Sequence, residues 1–150
     1  MGVKLEVLRL EDCNLSTVPR EIESCGDLTH LSFAVNQMRE LPEWVRLPLQ
    51  LRELDLSGNS LGRLNRCLRT NGQLRILNLS YNPPLEVHAA LDNFNNRHSR
   101  ALTLMQLVNS LPCLEQLNIT KNDRSAWSSH SWQQIQNVQA KAPARLQLLV

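Results

Sequence analysis

The residues best suited to chemistry in this chain are four histidines, four cysteines and one Ser-His-Ser triplet. A metal site needs several such ligands at short, characteristic spacings. His30, His88, His98 and His130 are scattered, and Cys13, Cys25, Cys67 and Cys113 form no Cys-x-x-Cys pair. Neither a zinc site nor a disulfide framework is expected, and the thiols are read as reduced and packed. Ser129-His130-Ser131 sets a nucleophile beside a base in sequence. Adjacency along the chain is not the hydrogen-bonded geometry that such a pair requires. The chain has no His-Glu-x-x-His, no glycine-rich phosphate loop and no Gly-x-Ser-x-Gly. No catalytic residue, metal or cofactor is assigned.

Composition narrows the remaining functions. The chain has 150 residues, one domain's length, with 42 % hydrophobic and 20 % charged residues. Aromatics are only 4 %, so the core must be built mainly of Leu. A net charge of +2, with Arg and Lys dispersed, argues against a nucleic-acid partner. No apolar run is long enough to cross a bilayer, and no signal-peptide core follows Met1. A cytoplasmic or nuclear location without membrane attachment is therefore expected. Met1-Gly2 does not read as a myristoylation start, because Glu6 stands where Ser or Thr belongs.

What must position the outward residues is a repeat. Leu5, Leu28, Leu51 and Leu74 open four copies of one pattern, each 23 residues after the last, and Leu114 opens a fifth 40 residues later. The third copy reads Leu51-Arg-Glu-Leu54-Asp-Leu56-Ser-Gly-Asn59-Ser-Leu61. A degenerate last strand is expected over 145–149, which also accounts for the apolar terminus Leu148-Leu149-Val150 more simply than a C-terminal peptide ligand does. Side chains alternate across a strand, so the paired leucines of each copy point inward and the residues between them outward. One copy cannot bury its own apolar face, whereas a stack can.

These copies resemble the leucine-rich-repeat consensus L-x-x-L-x-L-x-x-N-x-L. The early copies are similar to its 23-residue typical subclass and the later ones to the ribonuclease-inhibitor-like subclass. The resemblance implies an α/β solenoid, with a parallel concave β-sheet of five or six strands and short helices or irregular turns on the convex side. It implies one repeat domain over 1–150. It also implies a structural column of Cys13, Asn36, Asn59, Asn82 and Asn122 at the turns leaving the strands, where backbone groups need partners. Glycosylation-like triplets at Asn14, Asn78 and Asn118 arise from the same consensus and are read as unmodified.

A polar stretch over 92–100 interrupts the rhythm and is read as an inserted loop. Leu104, Leu107, Val108 and Leu111 then recur at helical spacing. Ser131 is expected to cap a further helix carrying Trp132, Ile135 and Val138 on a packed face, ended by Pro143.

The resemblance implies a protein partner on the concave face. The outward residues there are Val7, His30, Glu53, Ile76 and Gln116 in the third column. Arg9, Ser32, Asp55, Asn78 and Asn118 form the fifth, with Ala34, Val35, Ser57 and Tyr81 beyond them. Charge signs are mixed, which suits a specific protein better than a phosphate backbone. Tyr81, Arg9 and His30 are the expected anchors. The chain is thus read as a non-enzymatic adaptor or regulatory module. The alternative is the recognition segment of a larger kinase, phosphatase, GTPase or ubiquitin ligase. Leucines stand near both ends without a polar cap, so flanking sequence or self-association through the ends is expected.

Overall fold

The structure is a computed structural model and describes residues 4–42, 44–62, 66–70, 72–83, 85, 104–122 and 129–150. Among these, six three-residue strands form one sheet: β1 (Val7–Arg9), β2 (His30–Ser32), β3 (Glu53–Asp55), β4 (Ile76–Asn78), β5 (Gln116–Asn118) and β6 (Gln147–Leu149). Their spatial order is their chain order, and every neighbouring pair is parallel. This is the open parallel sheet that the resemblance to a leucine-rich-repeat solenoid implies. Strands this short form no sheet by propensity alone; the columns of side chains behind them hold the stack together.

Leu8, Leu31, Leu54, Leu77, Leu117 and Leu148 are register partners from strand to strand. Leu31, Leu54, Leu77 and Leu117 are buried, as are Phe33, Leu56, Leu79 and Ile119 two residues further on. Full burial of each such side chain contributes about 1.5–3 kcal/mol. β1 and β6 have a neighbour on one side only. Leu5 accordingly keeps 42 % of its surface exposed, and Leu8, Leu10 and Leu148 are half-buried.

The side opposite the sheet is closed by 3₁₀ turns at Arg20–Ser24 and Arg66–Thr70 and by two helices. Helix α1 (Leu104–Ser110) buries Leu104, Leu107 and Val108, the helical spacing read in the sequence. It packs against the second 3₁₀ turn and against α2 (Ser129–Lys141). The start of α2 corrects the expected cap: the helix begins at Ser129, so Ser131 lies inside its first turn. Ile135 and Val138 are buried, but Trp132 keeps 37 % of its surface exposed and packs only in part. The expected loop over 92–100, and with it His98, lies outside the described residues, as does His88. No helix among the described residues is long and apolar enough to cross a membrane.

The asparagine column completes the frame. Asn59 Nδ2 donates to the carbonyls of Leu56 and Ser57 in its own coil and of Phe33 in the coil before, at 3.0, 3.2 and 3.0 Å. Its Oδ1 accepts the Met38 amide at 3.0 Å. Asn36 and Asn82 repeat this pattern, each bridging its coil to the previous one. Asn122 Oδ1 accepts the Asn82 amide at 2.6 Å, so the ladder continues across the 40-residue interval. Cys13 is exposed, and its thiol donates to the Glu11 carbonyl at 3.3 Å, a weaker copy of the bond each asparagine makes within its own coil.

Substitutions in the leucine columns and in the ladder separate these contributions. Leu54→Ala or Leu77→Ala is expected to lower stability by about 2–5 kcal/mol in urea titrations, through lost transfer energy and a residual cavity. Leu8→Ala, at the half-buried edge, should cost distinctly less. Asn59→Leu, similar in volume, should still destabilise by about 1–3 kcal/mol or more, because it strands buried backbone groups. A neutral Asn59→Leu would contradict the ladder's role.

Candidate functional site

The third residue of each copy projects from the sheet. Val7, His30, Glu53, Ile76, Gln116 and Gln147 are successive register partners, so they form one straight row across six strands. Val7 and Glu53 are exposed, while His30, Ile76 and Gln116 are half-buried. His30 Nε2 stands 3.4 Å from Glu53 Oε1, and its Nδ1 lies 2.8 Å from the Thr29 hydroxyl. His30 is therefore held by neighbours on two sides and is less available as an anchor than its position suggests. A depression of about 230 Å³ runs along this row, lined among others by Arg9, His30, Glu53, Asp55, Ile76 and Asn118. That volume falls short of the roughly 300–1,000 Å³ typical of small-molecule pockets and fits a few side chains of a larger partner.

The fifth column departs from expectation. Only Arg9 is fully exposed there. Ser32 is buried at 8 % exposure, and Ala34 beyond it likewise, so neither offers a contact surface. The reason is local. Ser32 Oγ accepts the Ala34 amide, Asp55 Oδ1 the Ser57 amide, Asn78 Oδ1 the Ser80 amide and Asn118 Oδ1 the Thr120 amide, at 3.3, 2.8, 3.1 and 3.0 Å. Each short polar side chain closes the turn leaving its own strand, as Ser, Asp and Asn do when they bond two residues onward. Asn78 Nδ2 also donates to Asp55 Oδ2 at 3.2 Å. Ser32 is thus withdrawn from the surface, while Asp55, Asn78 and Asn118 are half-buried and line the depression.

A second row, of which the sequence places Val35 and Tyr81 beyond the strand ends, has a backbone conformation that the sequence does not announce. Asp12, Val35, Gly58, Tyr81 and Lys121, the residues just before the ladder position in five coils, all have left-handed backbone, with φ of 52°, 56°, 65°, 54° and 59°. Holding an L-residue there costs about 1–2 kcal/mol, and a β-branched Val is the least suited. Their amides are the last rungs of the sheet: Asp12 donates to Ala34, Val35 to Ser57, Gly58 to Ser80 and Tyr81 to Thr120, at 2.9–3.1 Å. Gly58 was the available clue, one glycine at a recurring position. Val35 and Tyr81, expected to be exposed apolar residues, keep 59 % and 58 % of their surface exposed. Strain retained with an exposed apolar side chain points to a use for that side chain.

Other candidates for chemistry are not assembled. Among the described residues no group of three His, Cys, Asp or Glu side chains is placed to hold a metal ion. Ser129, His130 and Ser131 are consecutive residues at the start of α2. None of the cysteines is in a disulfide. Burial pushes the Cys67 thiol up to about 12, well above its ordinary range, so it stays protonated and inert near neutral pH.

Comparison with known proteins agrees with this geometry. The family model described as Leucine Rich Repeat matches residues 4–25 and 50–70, the first and third coils. Over 83 residues the chain is 35 % identical to Receptor like protein 22 of Arabidopsis thaliana. The match covers 52 % of this chain, which spans 11 % of that relative's length.

Two measurements check the site. Val35→Asn and Tyr81→Asn should leave the thermal midpoint unchanged or raise it, because Asn tolerates left-handed backbone and little burial is lost. A clear fall would assign both side chains a packing role instead. Alkylation of the native protein at pH 8, mapped by mass spectrometry, should label the exposed Cys13 first and Cys67 last.

Proposed function

We propose that this chain, a leucine-rich-repeat protein, is a non-enzymatic adaptor or regulatory module that binds another protein through the concave face of its sheet. Leucine-rich repeats serve generally as protein-interaction modules. The observation that carries the finer reading is the unbroken row from Val7 to Gln147, held in register by six strands and flanked by exposed Val35 and Tyr81. A rigid surface that displays side chains at fixed spacing lowers the ordering cost of association.

Size and charge support the same reading. Six strands at about 4.8 Å span about 24 Å. With the flanking rows this is near the roughly 800 Å² per partner of a standard interface, so modest affinity is expected. Arg9 is exposed at one end of the face and Glu53 near its middle, while Lys121 lies exposed toward the other end. Mixed signs favour one oriented partner over a uniform polyanion. A cytoplasmic or nuclear setting with reduced thiols belongs to this proposal.

Affinity purification with the wild-type chain and an Arg9→Ala, Glu53→Lys double variant, quantified by mass spectrometry, tests it. Both substituted side chains are exposed, so folding should survive. The proposal expects a specific set of proteins to be lost from the variant. Equal recovery of every protein from both would contradict the concave face as the binding surface.

A further inference from the structure

We propose that the left-handed row seats an extended, polyproline-II-like segment of the partner, with a basic, an apolar and an acidic side chain at every third residue. This rests on the reading of the sheet face as a protein-binding surface and specifies what lies along its edge. The row reads Asp12, Val35, Gly58, Tyr81, Lys121: an exposed acid, an exposed aliphatic, a gap, an exposed aromatic and an exposed base.

The gap is built by the backbone. A Cβ added at Gly58 would lie 3.3 Å from Val35 Cα and N, and Gly58 itself has left-handed φ, so a side chain there would be strained and crowded. The backbones of Val35 and Tyr81 are thus about two strand spacings apart, roughly 10 Å, with Gly58 between them and Cγ2 of Val35 close to it. A single side chain of a segment lying along the row can enter this notch, above Gly58.

Spacing chooses among extended chains. Asp12 to Gly58 is two coils, and Gly58 to Lys121 is two more, so charge, gap and charge recur at roughly 10 Å along the row. A polyproline-II helix turns once in three residues and rises about 9.3 Å per turn, which keeps every third side chain in step with these positions. A β-strand repeats its face every 6.7 Å or so and falls out of step within one repeat. Charge complementarity sets the side chains: a base toward Asp12 and an acid toward Lys121, with an aliphatic group over Gly58. The Val35 and Tyr81 side chains then become the walls of a filled slot.

The test is fluorescence anisotropy of a labelled synthetic peptide, Pro-Arg-Pro-Pro-Leu-Pro-Pro-Asp-Pro, titrated with the intact chain. Saturable binding is expected. Asp12→Lys should weaken it about fivefold, the scale of an exposed charge pair. The peptide with Asp in place of Arg should then bind Asp12→Lys more tightly than it binds wild type. Tyr81→Asn should weaken binding without lowering the thermal midpoint, which a packing role would not allow. Absence of saturable binding, indifference to Asp12→Lys, or tighter binding by a helical peptide bearing the same three side chains would overturn the inference. If the peptide fails while Arg9→Ala, Glu53→Lys still releases partners, this inference alone falls. If neither responds, the concave-face reading falls with it.

Discussion

Each asparagine side chain in the ladder is a buried polar group that must be satisfied from two coils at once. Its amide nitrogen reaches carbonyls of its own coil and of the coil before, and its oxygen takes an amide of the coil before, as in Asn59 to Met38 and Asn82 to Leu61. A buried amide left unpaired would be penalised by more than any single leucine contact at an exposed edge contributes. The bridging condition therefore fixes how each coil sits on the one before, and that register sets what is displayed on the sheet. Among the described residues no buried side-chain polar atom lacks a partner, which is the condition met throughout.

The interval between the fourth and fifth copies shows how strong that condition is. The chain there is 40 residues long instead of 23, yet Leu77 still pairs with Leu117 and Asn78 with Asn118. The register is held from both ends of the strand. Arg75 makes a two-pronged contact with Glu115 at 2.9 and 3.0 Å on the entering side, and Asn82 meets Asn122 on the leaving side. An interval of 40 residues is thus accommodated without disturbing the row of outward residues.

The parallel sheet, its leucine columns and the ladder were legible because each is written as a strict period, and period is what sequence exposes most plainly. The outward third column followed from alternation alone. Ser32 departs from the outward fifth column because alternation says where a side chain starts, not where a short polar one bends to find an amide. The left-handed row was hidden for a related reason. Four of its five members are not glycine, and Val35 gives no local sign of positive φ. Helix α2 was found from Ile135 and Val138, but its first residue was misplaced because Ser129 and Ser131 offer equivalent starts.

Hydrogen exchange at the Met38 and Leu61 amides tests the bridging condition most directly. Both sit outside the strands, where an amide in an ordinary turn exchanges quickly, and both donate to a ladder asparagine of the next coil. If the ladder sets the register, they exchange as slowly as the sheet amides of Leu56 and Leu79 and through the same global opening. Fast exchange at Met38 and Leu61 beside protected Leu56 and Leu79 would show that the sheet holds its register without the asparagines, contrary to the account given.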